Sequence, residues 1–354
     1  MEVLDKALKA HLMRGTVIPA HPLALNENRN IDEPGQRLLT RYYLNSGAGG
    51  IAVGVHSTQF EIRDPKHNLF EKVLKWASEE IEDAQLERPF LKIAGICGDT
   101  KQATAEASLA KKYGYHMGLL SMGGLQGWTE AEILNRVREV AEIIPVFGFY
   151  LQPSVGGRIF SYDFWCQFAE IKSLEAIKCA SFNRYQTLDV MRAVCNSTRK
   201  DEIAMYTGND DNIVADLLTT YEFRVNGELV EKSFVGGLLG HWAVWTQKAV
   251  VLLEEVKKCK SNGSGKDWAK LLSKGVNITD VNAAMFDPAH NFHGCIPGMH
   301  TMLKNQGLLG SILCLNPNEV LSPGQLEEIK RVHQDYPSLN DDSFVREFLT
   351  NHSH

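Results

Sequence analysis

In LEAIKCASFN (174–183) a lysine interrupts a run that is otherwise apolar or small apart from Glu175. Such a run reads as a buried parallel strand, and an ammonium group buried there costs several kcal/mol unless it is paired or put to use. Desolvation would bring Lys178 from an ordinary pKa of about 10.4 towards 7 or 8, leaving a useful fraction as the free amine. A neutral amine adds to a ketone, and the protonated Schiff base that follows withdraws electrons from the neighbouring carbon. Carbon–carbon bonds can then be made or broken without a metal. The alternative is a strand-end lysine whose stem is buried while its charge reaches solvent.

Tyr150, at the end of another strand-like run in FGFYLQPS, could carry protons to and from the carbinolamine formed on Lys178. Its alternative is an amphipathic tyrosine with its hydroxyl at a rim. Two later stretches add polar groups: TGNDDN (207–212), with Gly208, Asp210 and Asp211, and GGLLGHW (236–242), with Gly237 and His241. Glycine permits close backbone approach, and the aspartates and His241 could contact a polar substrate. Each aspartate could equally cap a helix, and His241 could be a packed rim residue. HNFHGCIPGMH (290–300) gathers His290, His293, Cys295 and His300, residue types that bind zinc, but with a spacing unlike the standard patterns. The glycines of NSGAGG (45–50) precede a strand instead of leading from strand to helix, which argues against a dinucleotide site.

The elements that would position these residues alternate in type. Eight candidate strands, at 15–23, 50–57, 91–98, 117–123, 145–153, 174–181, 202–208 and 233–240, are separated by amphipathic stretches such as EKVLKWASEEIEDAQL and TEAEILNRVREVAEII. Eight such units in about 240 residues predict a (β/α)8 TIM barrel, whose active site gathers at the carboxyl ends of the strands. A doubly wound open sheet is the alternative. From about residue 244 the pattern is helical, in WTQKAVVLLEEVKKCK, KDWAKLLSKG, PGMHTMLKNQGLL and SPGQLEEIKRVHQDY. The expected organisation is a barrel over 1–243 and a C-terminal helical appendage over 244–354.

The 354 residues are 44% hydrophobic and 23% charged with a net charge of −6, the balance of a globular protein. Basic residues are scattered, so nucleic acid is not an expected partner. No stretch approaches the roughly 20 apolar residues of a membrane span and the amino terminus lacks a signal-like segment, so no membrane partner and a cytoplasmic setting are expected. The seven cysteines form no CxxC pair and are expected to be reduced.

Tyr150-Leu-Gln-Pro153 followed 28 residues after Tyr150 by Lys178, in Ile177-Lys178, resembles the YNxP…IK pairing of the dihydrodipicolinate synthase and N-acetylneuraminate lyase family. IAVGVHSTQFE (51–61) resembles the segment ending in G(T/S)TGE, and KIAGICGDTKQATAEASLAKKYGYHMGLL the third strand through the fourth; the likeness spans roughly 14–240. The resemblance implies a (β/α)8 barrel with a three-helix tail, a Schiff base on Lys178 with no separate cofactor, pyruvate or another 2-keto acid as substrate, and a homo-oligomer, tetramer or dimer. It also implies that Ser57, with His56 or Thr58, binds the keto-acid carboxylate, and that Gly208 and His241 line the pocket.

The departures bear on substrate. Gln59-Phe60 replaces the expected Gly-Glu, Met122-Gly-Gly-Leu125 replaces a tyrosine pair, and no arginine follows in Ser154-Val155-Gly156, although Arg158 is near. The expected function is therefore a Schiff-base carbon–carbon lyase or synthase other than dihydrodipicolinate synthesis. The alternatives are a non-catalytic keto-acid-binding barrel and a metal-dependent enzyme using His290, His293 and His300.

Overall fold

A computed structural model describes residues 4–352. Its strands are β1 (Val17–Pro19), β2 (Gly50–Val53), β3 (Leu91–Ile96), β4 (Met117–Leu120), β5 (Val146–Leu151), β6 (Leu174–Ala180), β7 (Ala204–Thr207), β8 (Thr220–Val225) and β9 (Glu228–Leu239). The first eight helices are α1 (Lys6–Arg14), α2 (Glu33–Asn45), α3 (Phe70–Asp83), α4 (Thr100–Lys112), α5 (Glu130–Ala141), α6 (Tyr162–Ala169), α7 (Arg184–Asn196) and α8 (Ile213–Leu218). The C-terminal region adds α9 (Thr246–Asn262), α10 (Gly265–Phe286), α11 (Cys295–Asn305), α12 (Gln325–Asp335) and α13 (Asp342–His352). Eight parallel strands, all but β8, form a nearly closed barrel in the order β1-β9-β7-β6-β5-β4-β3-β2, so the open-sheet alternative falls. No helix among the described residues is long and apolar enough to cross a membrane.

The strands form where the sequence is continuously apolar, because a parallel strand is covered on both faces. All seven residues of β6 and all six of β5 are buried. Helices begin where a short polar side chain can accept from the first free backbone N–H groups. Asp99 opens α4, Asn183 opens α7, and Thr129 with Glu132 forms a reciprocal capping box on α5.

The chain divides into two compact units that interleave in sequence, residues 1–16 with 91–238 and residues 17–90 with 239–354, whereas the expected boundary at 243/244 is a single cut. In the first unit, the amino ends of β6 and β7 are tied to α1: Lys9 bridges the Glu175 carboxylate and the Glu202 carbonyl, and Tyr206 Oη donates to Leu12 O at 2.8 Å. In the second, buried Asp341 accepts from Tyr42 Oη (2.7 Å), Gln247 N (3.1 Å) and Gln306 Nε2 (2.8 Å), fixing the C-terminal helices against α2. The helix α13 and the antiparallel β8–β9 hairpin are additions to the expected pattern.

Candidate active site

Lys178 and Tyr150 lie on adjacent strands, but the register sends them to opposite faces. Directly opposed residues of a parallel pair share a face, and successive residues alternate. Phe149 pairs with Lys178 and Tyr150 with Cys179, after a one-residue irregularity between Val146 and Phe147. Lys178 also pairs with Tyr206 on β7. The face that carries Lys178 therefore carries Phe147, Phe149, Ala180 and Tyr206. The other carries Gly148, Tyr150, Ile177 and Cys179, and there the helices pack: a Cβ on Gly148 would meet Phe168 of α6 at 2.6 Å. Tyr150 stacks among Trp165 of α6 (5.0 Å between centroids) and Phe160 (6.2 Å). Burial pushes its phenol up to about 12. The expected placement of the Tyr150 hydroxyl beside the Lys178 amine is thus corrected, and Phe149 occupies that position.

Lys178 is 8% exposed. Burial lowers its pKa to about 8, partly opposed by the negative charge of Asp210. Its Nζ stands 4.5 Å from the centroid of the Phe149 ring, whose face favours the ammonium form without a hydrogen bond. Room for the side chain comes from Gly208 at the carboxyl end of β7. A Cβ there would lie 2.4 Å from Lys178 Cε and 2.9 Å from Ala180 Cβ, so only glycine leaves the lysine in its present rotamer. A tenth of a lysine with pKa near 8 is free amine at pH 7, roughly 300 times more than for an unperturbed side chain.

The loop after β7 is held by one buried carboxylate. Asp216 accepts from Thr207 Oγ1 (2.7 Å), Asn209 Nδ2 (2.8 Å), Asn212 Nδ2 (3.0 Å) and Arg184 Nη1 (2.5 Å). Asn209 Oδ1 in turn accepts from Phe182 N at 3.0 Å, which fastens the loop after β6 to the loop after β7. Asp210 N donates to Gly208 O at 3.2 Å, turning the chain just past the lysine. Neither Asp210 nor Asp211 caps a helix: α8 starts after Asn212. Asp211 approaches Arg184 at 3.8 Å, and burial raises its pKa.

His56, Ser57, Thr58 and His241 belong to the other compact unit. The strand-like HST is a single 3-10 turn, His56–Thr58, because the chain leaves β2 through Gly54 at φ 78°. Thr58 Oγ1 donates to His21 O at 2.6 Å and accepts from Gly54 N at 2.9 Å; Ser57 Oγ also reaches His21 O, at 3.3 Å. Both hydroxyl protons are thereby directed to the end of β1. The His56 ring packs on Phe60. His241 is buried, hydrogen-bonds Asn282, and has its pKa lowered to about 4 by desolvation, so it is neutral at pH 7.

The histidine-rich stretch does not assemble a metal centre. His290 is exposed and pairs with Asp287 at 2.6 Å, His293 is exposed, and His300 is buried in α11 with Nδ1 near Ile312 O. Among the described residues no group of three or more His, Cys, Asp or Glu is arranged to hold a metal ion. Arg158 is also committed elsewhere, donating to Trp128 O at 2.7 Å and lying over the Phe160 ring.

No protein-family model matches the chain, and no curated protein does. Among solved structures it is similar to dihydrodipicolinate synthase from Oceanobacillus iheyensis (18% identity, TM-score 0.72), covering 94% of this chain and 99% of that one. It is similar to N-acetylneuraminate lyase from Fusobacterium nucleatum (16%, TM-score 0.69), over 92% and 99% of the two chains. Dihydrodipicolinate synthase from Bacillus clausii has 14% identity and TM-score 0.73, over 93% and 99%. At these identities the likeness establishes the fold, a (β/α)8 barrel with a helical C-terminal region. These are also the two enzymes whose motifs the sequence resembles.

Proposed function

We infer that the chain is a Schiff-base-forming carbon–carbon lyase or synthase acting on pyruvate or another 2-keto acid, with Lys178 as the nucleophile. The observation that carries this reading is a buried lysine with its pKa near 8, at the carboxyl end of a barrel strand, with space kept for it by Gly208. A solved N-acetylneuraminate lyase from Fusobacterium nucleatum, similar in fold at 18% identity, is complexed with pyruvate. In the reaction the free amine adds to the keto carbon, giving a carbinolamine. Asp210, the charge acting on the amine, is the group proposed to accept the proton the ammonium gives up on becoming the nucleophile and to return it to the departing hydroxyl, which leaves as water and yields the iminium ion with Asp210 again a carboxylate. The iminium then takes up the electron pair of a breaking carbon–carbon bond as an enamine, or releases a proton to form the enamine that attacks a second carbonyl. Dihydrodipicolinate synthesis itself is not proposed, since no tyrosine stands in 122–125 and Arg158 is held by Trp128.

Borohydride trapping tests this reading. Incubation with pyruvate or a panel of 2-keto acids, reduction, and peptide mass spectrometry should place the adduct on Lys178; absence of any adduct on folded protein refutes it. A second reading has one observation in its favour, the replacement of an amine-side phenol by Phe149. It is a keto-acid-binding barrel without turnover, and it predicts thermal stabilisation by the keto acid with no trappable adduct.

A further inference from the structure

Beyond the barrel, the first compact unit carries a feature that the proposed chemistry does not use: the hairpin formed by β8 and the first half of β9. Its two-residue loop, Asn226-Gly227, has φ of 51° and 89°, the left-handed pair of a type I′ turn. The ladder runs without irregularity from Val225–Glu228 to Thr220–Ser233. In such a hairpin Val225–Glu228 is a hydrogen-bonded pair, and alternation makes Phe223–Val230 and Tyr221–Lys232 the next ones. The backbone N–H and C=O groups of Thr220, Glu222 and Arg224 therefore point to the outer edge. Among the described residues β8 pairs with β9 alone, so that edge is unpaired. It has no proline and no bulge, two of the devices that protect such an edge, and the two charges it does carry, Glu222 and Arg224, are of opposite sign.

We propose that this edge is a dimerisation surface, where β8 pairs antiparallel with β8 of a second copy of this chain, Phe223 opposite Phe223. The charges argue for that occupant and that register. Only the outward-pointing residues can form hydrogen-bonded pairs, which leaves three registers about a two-fold axis that set charged residues against each other. One sets Glu222 against Glu222, one sets Arg224 against Arg224, and one sets Glu222 against Arg224 twice. The third alone is attractive, and it also places Tyr221 opposite Val225 on the half-buried face. Glu222 and Arg224 are exposed and neither has an ion-pair partner among the described residues, while Glu222 stands opposite the like-charged Glu231 on β9. Arg224 of the second copy would set a positive charge beside that repelling pair. A contact of two six-residue strands is small, so the dissociation constant expected is roughly micromolar.

Sedimentation of the full chain over a concentration series tests the surface. Wild type should shift from 39.6 kDa towards twice that mass. Glu222→Arg and Arg224→Glu should each weaken the association at least tenfold by putting like charges opposite each other twice, and the double variant should restore it. A chain that stays monomeric, or an assembly that both single reversals leave unchanged, overturns the proposal. Phe223→Cys supplies a second readout that does not depend on those charges: it should form a disulfide-linked dimer on mild oxidation, whereas Tyr221→Cys, which has no counterpart opposite itself, should not. Equal cross-linking of the two overturns the register.

Discussion

Replacing Asp210 by Asn separates two effects that act on the same amine in opposite directions. Asp210 supplies the charge that raises the Lys178 pKa against the dominant effect of burial, which together leave it at about 8. A carboxylate near enough to act on the amine, at an effective dielectric of several tens, is worth on the order of 1 kcal/mol, or most of one pKa unit. In Asp210→Asn the amine midpoint should fall to between about 7 and 8, and the free-amine fraction at pH 7 should rise severalfold. Addition to the keto carbon speeds up accordingly. Dehydration of the carbinolamine loses its proton donor, an effect on the order of 10²–10⁴ in rate. The assay needs no knowledge of a second substrate: exchange of pyruvate methyl protons with deuterium, followed by NMR from pH 5.5 to 9, reports enamine formation. The variant should exchange at least a hundredfold more slowly at its plateau, with the rising, acid-side limb displaced to lower pH. Exchange within threefold of wild type, or a midpoint that stays or rises, would refute the role of Asp210. Asp211→Asn serves as the comparison, since Asp211 is directed to Arg184.

Two further outcomes follow from the same geometry. Lys178→Met should abolish the trapped adduct and yet raise stability at pH 7 by about 3 kcal/mol, because a folded pKa of about 8 against 10.5 makes the buried ammonium unfavourable below pH 8. The unfolded chain binds the extra proton between those values, so wild type gains stability as pH rises from about 8 to 10.5, and the difference in denaturant midpoint between the two proteins should shrink across that window. Tyr150→Phe should leave adduct formation and exchange within threefold of wild type, since its ring packs against Trp165 on the helix side of β5; a hundredfold loss would return the phenol to the amine.

The legible part of this site was the part set by burial. A charge in a continuous apolar run marks a strand and a perturbed lysine together, and both follow from desolvation without reference to any neighbour. Which face of β5 meets that lysine is a different kind of fact. Side chains alternate with a period of two, so a one-residue irregularity exchanges every residue between the two faces, and the shift between Val146 and Phe147 is one that no motif in FGFYLQPS announces. The β8–β9 hairpin does leave a signal, Asn226-Gly227 between alternating residues, but the continuous apolar run that marks the eighth barrel strand begins only at Ser233. HST read as a strand end because its residues suit one, while Gly54 turns the chain before it. The exchange of Tyr150 for Phe149 beside the amine also alters the chemistry the barrel can support. An aromatic ring at 4.5 Å can steady an ammonium but cannot carry its proton, so in the proposed reaction proton transfer moves from β5 to the loop after β7. There Asp216 and Asn209 already hold the backbone around Gly208 and Asp210 in place.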